Sequence, residues 1–364
     1  MHAAIIADRS FAVREQSLLS RLEIGLADEG VRVVHAVPIE CLGSESVGLY
    51  STTVGYQDRG FAISRLRRAQ ELLDTVGEAL GNAGGIDVVH CFGGAAWAIG
   101  AEFARLAGAP LIVEVERADE LSAAAALGGS RGAAAPAMFL CPDPAIGEAM
   151  LGRAPGAQVN TVPWGVHGPS GSRAPFDTGS TVTVAVLVEH GAGKGAAAVL
   201  EALASAATTY PGLLAFFSIG DGRDDTVWKQ ARRLNLLERL SINSEMEARR
   251  EPILQADLLL LPDASGQQHS LTLDAMAAGM VVIAAADRMN SSLIDGRTAR
   301  LVHGATGQAW QEAIRRTLAD PAAAHALAAS AGEWVGRERS VSAHVSGVLR
   351  AYGAVAKKKE TAAA

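Results

Sequence analysis

Short apolar runs alternate with helical patterns along most of the chain. The first run is Ala3–Ala7, and the segment behind it carries Leu18, Leu22 and Leu26 on one helical face. Further runs and helical segments follow, and a second series of the same kind begins with Thr181–Val188. Runs that are apolar at every position are typical of parallel strands covered by helices on both faces. The pattern predicts an α/β protein with two Rossmann-like, doubly wound parallel sheets.

A segment without any period separates the two series. Residues 168–180 are rich in Gly, Ser and Pro, a composition typical of a linker. The chain has 364 residues, more than one hydrophobic core usually serves. We therefore predict an N-terminal domain over residues 1–167, a linker over 168–180 and a C-terminal domain over 181–341.

Composition and charge exclude several classes of function. The net charge of −7 argues against nucleic-acid binding, which needs a basic surface. No apolar run is long enough for a membrane span, and Asp8 and Arg9 come too early for a signal peptide, so we expect a soluble, cytoplasmic protein. The three cysteines are far apart and lack a paired His or Cys at metal-ligand spacing, and they predict buried residues rather than a metal site.

A glycine-rich loop follows the predicted strand Thr181–Val188. Gly191, Gly193 and Gly195 let backbone N–H groups approach a phosphate, Lys194 adds a positive charge, and the next helix presents its positive end. A Walker A loop is excluded because Gly195 stands where Ser or Thr must bind magnesium. The glycines also fit the loose dinucleotide pattern G-x-G-x-x-A, although the acid expected about 20 residues later is missing. A diphosphate site is predicted, with an NAD site as the alternative.

The order of the later motifs is more specific than this loop. GDG (Gly220–Gly222), ADLLLLP (Ala256–Pro262), LTLDAMAAGMVVIAA and LIDGRTARLV resemble, in order and spacing, the C-terminal domain of family 4 (group 1) glycosyltransferases. DVVHCFGG and TVPWGVH resemble motifs of the N-terminal domain of the same family. The resemblance implies the GT-B fold, in which two Rossmann-like domains face each other across a cleft. It also implies that a helix over 342–357 crosses back to the N-terminal domain, before a tail over 358–364 that resembles a peptide tag.

The resemblance implies a retaining hexosyltransferase. Such enzymes move a sugar from a nucleotide diphosphate donor without a metal or cofactor, and they stabilise the leaving diphosphate with positive charge. The implied partners are a nucleotide-sugar donor and an acceptor that is a small molecule, a glycan or a protein. The residues implied at the donor are Lys194, Gly193 and Gly195 at the diphosphate, Asp274 at the ribose, Ser270 and Leu271 at a helix start, and Asn243 at the base.

One departure from the family concerns the diphosphate. The family has an Arg five residues before the lysine, and here that position is Glu189. A carboxylate about 4 Å from a phosphate charge would cost about 4 kcal/mol at an effective dielectric constant of about 20. The repulsion is avoided if Glu189 turns to solvent, or if His190 or Arg223 supplies the missing positive charge.

A second departure concerns the donor sugar. The family carries a Glu, seven residues, and a second Glu, and the second corresponds to Asp274 here. The first corresponds to Gly266, or to Gln267 or Gln268 if the loop is shifted, and a Gln binds a sugar hydroxyl without a charge. His269 stands just before the helix, where the donor sugar is expected, and we predict that it takes part in catalysis.

The remaining departures lie in the N-terminal half. Glu116 replaces a family histidine near the reacting sugar, and it either orients or deprotonates the acceptor or belongs to a solvated loop of ion pairs. The first loop, Ala7–Ser17, lacks the family's glycines, so Arg9 and Arg14 are candidates for binding an anionic acceptor. His90, at a strand end, is expected to be structural.

These departures leave more than one function open. The first is an active transferase, and the second is a catalytically silent GT-B subunit that binds or supports an active paralogue. The third is an NAD-dependent oxidoreductase.

Overall fold

The computed structural model describes ten segments, namely residues 1–42, 51–58, 64–81, 85–129, 135–169, 175–176, 181–189, 193–219, 225–243 and 250–363. The chain forms two compact units. Unit 1 comprises Met1–Gly165 with Val341–Ala364, and unit 2 comprises Val166–Ser340. Each unit contains one parallel sheet with helices on its faces, so the predicted α/β fold class is confirmed.

Unit 1 contains a seven-stranded parallel sheet in the order β3-β2-β1-β4-β5-β6-β7. Four of its inner strands, β1, β4, β5 and β6, are almost wholly buried, which explains why they read as continuous apolar runs in the sequence. The elements are β1 (His2–Ala7), α1 (Arg9–Arg14), α2 (Gln16–Asp28), β2 (Arg32–Pro38), β3 (Thr52–Tyr56), α3 (Arg65–Leu80), β4 (Val88–Phe92), α4 (Trp97–Ala107), β5 (Leu111–Glu114), α5 (Leu121–Gly128), β6 (Met138–Cys141), α6 (Pro144–Arg153) and β7 (Val159–Thr161).

Unit 2 contains a six-stranded parallel sheet in the order β10-β9-β8-β11-β12-β13. Its elements are β8 (Thr181–Val188), α7 (Lys194–Thr209), β9 (Gly212–Ile219), α8 (Asp225–Arg233), β10 (Leu240–Asn243), α9 (Arg250–Ile253), β11 (Leu258–Leu261), α10 (Ser270–Ala277), β12 (Val281–Ala285), β13 (Arg300–Val302), α11 (Gly307–Ala319) and α12 (Pro321–Glu338). The strand order reverses between β8 and β11, and open α/β sheets bind ligands at such a reversal, beyond the carboxyl ends of the strands.

The last helix, α13 (Val341–Ala363), returns the chain to unit 1. It packs so closely on α2 that a Cβ atom at Gly25 would lie 2.4 Å from a methyl group of Val345. Its Tyr352 hydroxyl lies 3.0 Å from Nδ1 of the fully buried His90, whose Nε2 lies 3.3 Å from Glu114. His90 therefore has a structural role, in a buried polar network that joins β4, β5 and α13. Within the described residues, no helix is long and apolar enough to cross a membrane.

Asp257, from the ADLLLLP motif, ties the sheet of unit 2 to the segment that precedes it. The residue is fully buried. Its carboxylate accepts hydrogen bonds from the N–H of Phe176 and from both the N–H and the hydroxyl of Thr183, each at 2.8 Å. The buried charge is thus satisfied by donors from two separate segments, which is how a buried carboxylate is tolerated. This motif residue stabilises the fold.

Candidate functional site

The glycine-rich loop of unit 2 leads into α7, which begins at Lys194 against the end of β11. A Cβ atom at Gly195 would lie 2.6 Å from the carbonyl oxygen of Pro262 and 2.9 Å from a carboxylate oxygen of Asp263. Only glycine permits this approach, and the approach fixes the positive end of α7 at the carboxyl edge of the sheet. Gly193 is the N-cap of the helix, and the Lys194 side chain is exposed to solvent.

Glu189 does not turn to solvent, so this part of the sequence interpretation is wrong. Its side chain is only 8% exposed and points at the loop before α10. It accepts a hydrogen bond from the Ser265 hydroxyl, and its Oε1 lies 3.0 Å from Nε2 of His269. Its own N–H donates to Asp263 at 3.1 Å. These polar partners stabilise the carboxylate away from bulk water. His190 and Arg223, the two residues considered as sources of the missing positive charge, lie outside the described residues.

Hydrogen bonds to the segment that follows β12 fix the position of the loop over residues 265–269. The Gly266 N–H donates to Asp287 at 2.8 Å, and the side-chain amide of Gln268 donates to the Met289 carbonyl at 2.9 Å. Gly266 has a φ of 72°, in the left-handed region where a residue with a Cβ is strained. The position that corresponds to the missing family acid is therefore a turn position that favours glycine.

The helix that follows this loop places the remaining predicted donor residues. Ser270 and Leu271 form the first positions of α10 and are buried. Asp274, one turn further on, forms an ion pair with Arg250, whose side chain is 6% exposed. Arg250 was not predicted from the sequence, because no motif or periodicity marks it and only the fold brings α9 beside α10. The backbone of Asn243 ends β10, and its side chain lies outside the described residues.

A small pocket lies where β8, β11 and β12 end. Thr272 is one of its lining residues, and its hydroxyl oxygen is buried without a hydrogen-bond partner among the described residues. The full lining is Leu187, Glu189, Leu261, Asp263, Gln267, His269, Thr272, Asp287, Asn290 and Leu293. A larger groove beside β13, α11 and α12 contains none of the predicted site residues, so we take the smaller pocket as the candidate donor-sugar site.

Unit 1 carries a buried charged cluster at the carboxyl ends of β1, β4 and β5. Glu116 is 1% exposed and pairs with Arg14 through one carboxylate oxygen, while its other oxygen has no hydrogen-bond partner in the described part of the chain. Burial raises the pKa of Glu116 well above its usual range, and Arg14 offsets only part of that effect. The alternative of a solvated loop is therefore wrong for this residue.

Two further carboxylates hold the same strand ends. Glu120 accepts hydrogen bonds from the N–H groups of Glu116 at 3.3 Å and Gly94 at 3.1 Å, and burial raises its pKa to about 7. Asp8 caps α1 and also accepts from the Ala95 N–H at 3.1 Å. The first loop has no glycine, and the close approach at this place occurs at Gly93 instead. A Cβ atom there would lie within 2.5 Å of the Asp8 carboxylate. Arg9 is exposed.

Among the residues that the structure describes, no group of three or more His, Cys, Asp or Glu side chains is arranged to hold a metal ion. The structure brings Glu189, Ser265 and His269 together in unit 2, and Glu116 and Arg14 together in unit 1. Neither Ser265 nor Glu120 stands in a motif. Only their contacts with Glu189 and with the Glu116 N–H in the structure mark them as parts of these two clusters.

Comparison with known proteins finds a matching family and solved structures with a similar fold. Residues 180–320 match a family described as Glycosyl transferases group 1. HepE from Anabaena, solved with UDP and glucose, is similar with a TM-score of 0.74 and 15% identity over 97% of this chain and 100% of that chain. Sucrose-phosphate synthase from Thermosynechococcus elongatus is similar with a TM-score of 0.72 and 16% identity, with both chains fully covered.

A glycosyltransferase from Rickettsia africae is similar with a TM-score of 0.68 and 13% identity over 97% of this chain and 98% of that chain. No curated protein sequence matches the chain. At these identities the structural likeness shows the fold, and the GT-B fold predicted from the sequence is confirmed. The predicted resemblance to group 1 glycosyltransferases is confirmed by the family match.

Proposed function

On the premise that residues 180–320 form a group 1 glycosyl transferase domain, we propose that the protein transfers a hexosyl group from a nucleotide diphosphate sugar to an acceptor. The observation that carries the proposal is the close approach of α7 to the end of β11, which fixes the start of the helix beside Asp263, a residue that lines the small pocket. We further propose that the anomeric configuration is retained and that neither a metal nor a cofactor takes part.

The diphosphate is bound in this proposal by the start of α7. The unpaired N–H groups of the first helical turn carry partial positive charge, and Lys194 adds a full charge on a flexible side chain. Both act more strongly on the leaving diphosphate than on the intact donor, because negative charge grows there as the sugar departs. HepE has been solved with UDP, which makes UDP the first nucleotide to test.

In this proposal the sugar lies at the mouth of the small pocket, with His269 next to it. The pocket has a volume of about 10 Å³, so it has room for one hydroxyl group of the sugar. On the ribose side, Asp274 supplies carboxylate oxygens, and the buried Arg250 holds that carboxylate in place. If the Asp274 carboxylate were not held in place, its hydrogen bond to a ribose hydroxyl would be weaker. We therefore expect Arg250 to affect nucleotide binding by positioning Asp274.

The acceptor binds in this proposal at the strand ends of unit 1. Glu116 is buried beside Arg14, and burial raises the pKa of its carboxyl group, which makes the carboxylate a stronger base. It orients or deprotonates the acceptor hydroxyl that attacks the donor sugar.

The test is release of nucleoside diphosphate from UDP-glucose, GDP-glucose and ADP-glucose in the presence of a panel of acceptors. Lys194→Ala should lower turnover by about 100-fold or more, because it removes the charge that stabilises the leaving group. The matched control is Lys229→Ala, an exposed lysine on α8 that should leave turnover unchanged.

Unchanged turnover in Lys194→Ala would refute the site assignment. A protein that binds none of the nucleotides but co-purifies with an active paralogue would support the silent-subunit alternative. Selective stabilisation by NAD would support the oxidoreductase alternative.

A further inference from the structure

Two departures from the family pattern meet at one place in unit 2. Glu189 stands where the family has an Arg, and the loop over residues 265–269 lacks the acid that the family places near the donor sugar. In the structure the Glu189 carboxylate reaches that same loop, where it accepts a hydrogen bond from Ser265 and lies 3.0 Å from His269. The carboxylate that is missing from the loop sequence is present at the loop in space.

The loop carries no acid of its own. Gly266 occupies the left-handed region with a φ of 72°, and its N–H donates to Asp287. The carboxylates that line the pocket follow neighbouring strands instead. Asp263 and Asp287 accept hydrogen bonds from backbone N–H groups, whereas Glu189, directly after β8, contacts side chains of the loop.

The pocket next to Glu189 has the chemistry to bind sugar hydroxyls. Glu189, Gln267, His269 and Thr272 all line it. Carboxylate, amide and imidazole groups are all able to bind hydroxyl groups. Thr272 is 2% exposed, and its hydroxyl has no hydrogen-bond partner among the described residues. A buried hydroxyl without a partner is costly unless a ligand pairs with it.

We propose that Glu189 is the carboxylate that binds the hydroxyl groups of the donor sugar in this protein, together with Thr272. The proposal rests on the proposed function. Ser265 and His269 hold the carboxylate in position before the donor arrives, which reduces the cost of ordering it. The positive charge for the diphosphate then comes from Lys194 and the start of α7. Glu189 thus becomes a determinant of sugar recognition rather than a defect in phosphate binding.

The proposal predicts that Glu189→Gln lowers the affinity for the sugar conjugate but not the affinity for the nucleoside diphosphate. Binding of UDP, GDP and ADP and of their glucose conjugates is measured by calorimetry for the wild type and for Glu189→Gln. The variant should bind the preferred glucose conjugate about 10-fold or more weakly, because charged hydrogen bonds to the sugar are lost. Its affinity for the matching nucleoside diphosphate should be unchanged or higher, because a negative charge near the phosphates is gone. Glu238→Gln, on the surface of the same unit, should alter neither affinity.

A charge-exchange series tests the same idea in a second way. Glu189→Arg restores the family cation and removes the acid, so it should bind the nucleoside diphosphate well and lose the preference for the glucose conjugate. The double variant Glu189→Arg/Gln267→Glu moves the acid back to the loop, where Gln267 already lines the pocket, and it should regain that preference. This readout does not depend on one variant folding well, because each affinity is compared within the same protein.

The failures are distinguishable. If the wild type binds none of the nucleotides or conjugates, the proposed function fails and the inference falls with it. If the wild type prefers a glucose conjugate and Glu189→Gln keeps that preference, only the inference is overturned. Equal loss of both affinities in Glu189→Gln, without recovery in the double variant, also overturns it, since that result indicates a purely structural role.

Discussion

Glu120 joins the ends of β4 and β5 in unit 1 with one carboxylate, and its ionisation should control the stability of that edge. Its two oxygens accept the N–H groups of Gly94 and Glu116. Burial raises its pKa from the ordinary 4.5 to about 7, while Arg117 and the Glu116 N–H partly oppose the shift. We predict that Glu120→Gln removes a pH dependence of stability, because glutamine does not titrate. Its NH2 group accepts no hydrogen bond, so the variant keeps an acceptor for only one of the two N–H groups.

The magnitude follows from the pKa shift. An increase from 4.5 to about 7 corresponds to about 3 kcal/mol of free energy of unfolding. Because the pKa is higher in the folded state, this contribution is fully present below pH 4.5 and is lost as the pH rises to about 7. Near pH 4.5 the variant should be less stable than the wild type by about 1 kcal/mol, the cost of the lost hydrogen bond. Relative to that difference, the variant should gain up to about 3 kcal/mol above pH 7.

The assay is the free energy of opening of unit 1 from pH 4.5 to 8, measured by hydrogen exchange of peptides that cover β4 and β5. Comparing the two proteins at each pH cancels the titration of most other groups. Glu71→Gln, on the exposed face of α3, should show no such pH-dependent gain. A stability difference between wild type and Glu120→Gln that is the same at every pH would refute the reasoning, since Glu120 would then ionise as it does in the unfolded chain.

Two further predictions concern close contacts in the fold. Gly195→Ala should lose about 1–3 kcal/mol of stability in urea unfolding, because its Cβ would lie 2.6 Å from the Pro262 carbonyl oxygen. Gly353→Ala in α13, where no atom lies within 4 Å of the added Cβ, should gain up to about 1 kcal/mol, and equal effects at both glycines would contradict the packing argument. Asp257→Ala should lose about 2–6 kcal/mol because buried N–H groups lose their acceptor, whereas Thr183→Val should lose about 1 kcal/mol. A loss below 1 kcal/mol in the alanine variant would show that water or another group replaces the carboxylate.

The fold was largely predictable because its signals are local. A strand that is mostly buried is mostly apolar, so Thr181–Val188, whose polar residues are two threonines, predicts β8 with the bounds that the structure has. The glycines around Lys194 mark the start of α7, and the helix predicted from Ser270 begins at that residue. The order of these motifs was enough to identify the family resemblance and, through it, the GT-B fold.

The direction of individual side chains was not predictable, because it depends on partners far away in the chain. Glu189 meets Ser265 across 76 positions and Arg14 meets Glu116 across 102, and no sequence pattern links either pair. Electrostatics alone suggested that Glu189 would repel a phosphate or turn to solvent.

The sequence by itself determined the alternation of strands and helices, the glycine-rich loop and the types of residue at the candidate site, since each is a property of neighbouring residues. The tertiary structure alone decided that Glu189 turns to the 265–269 loop, that Arg250 holds Asp274 and that Glu116 is buried beside Arg14. The reason is physical: hydrogen bonds and desolvation act between side chains that only the packed sheets bring together.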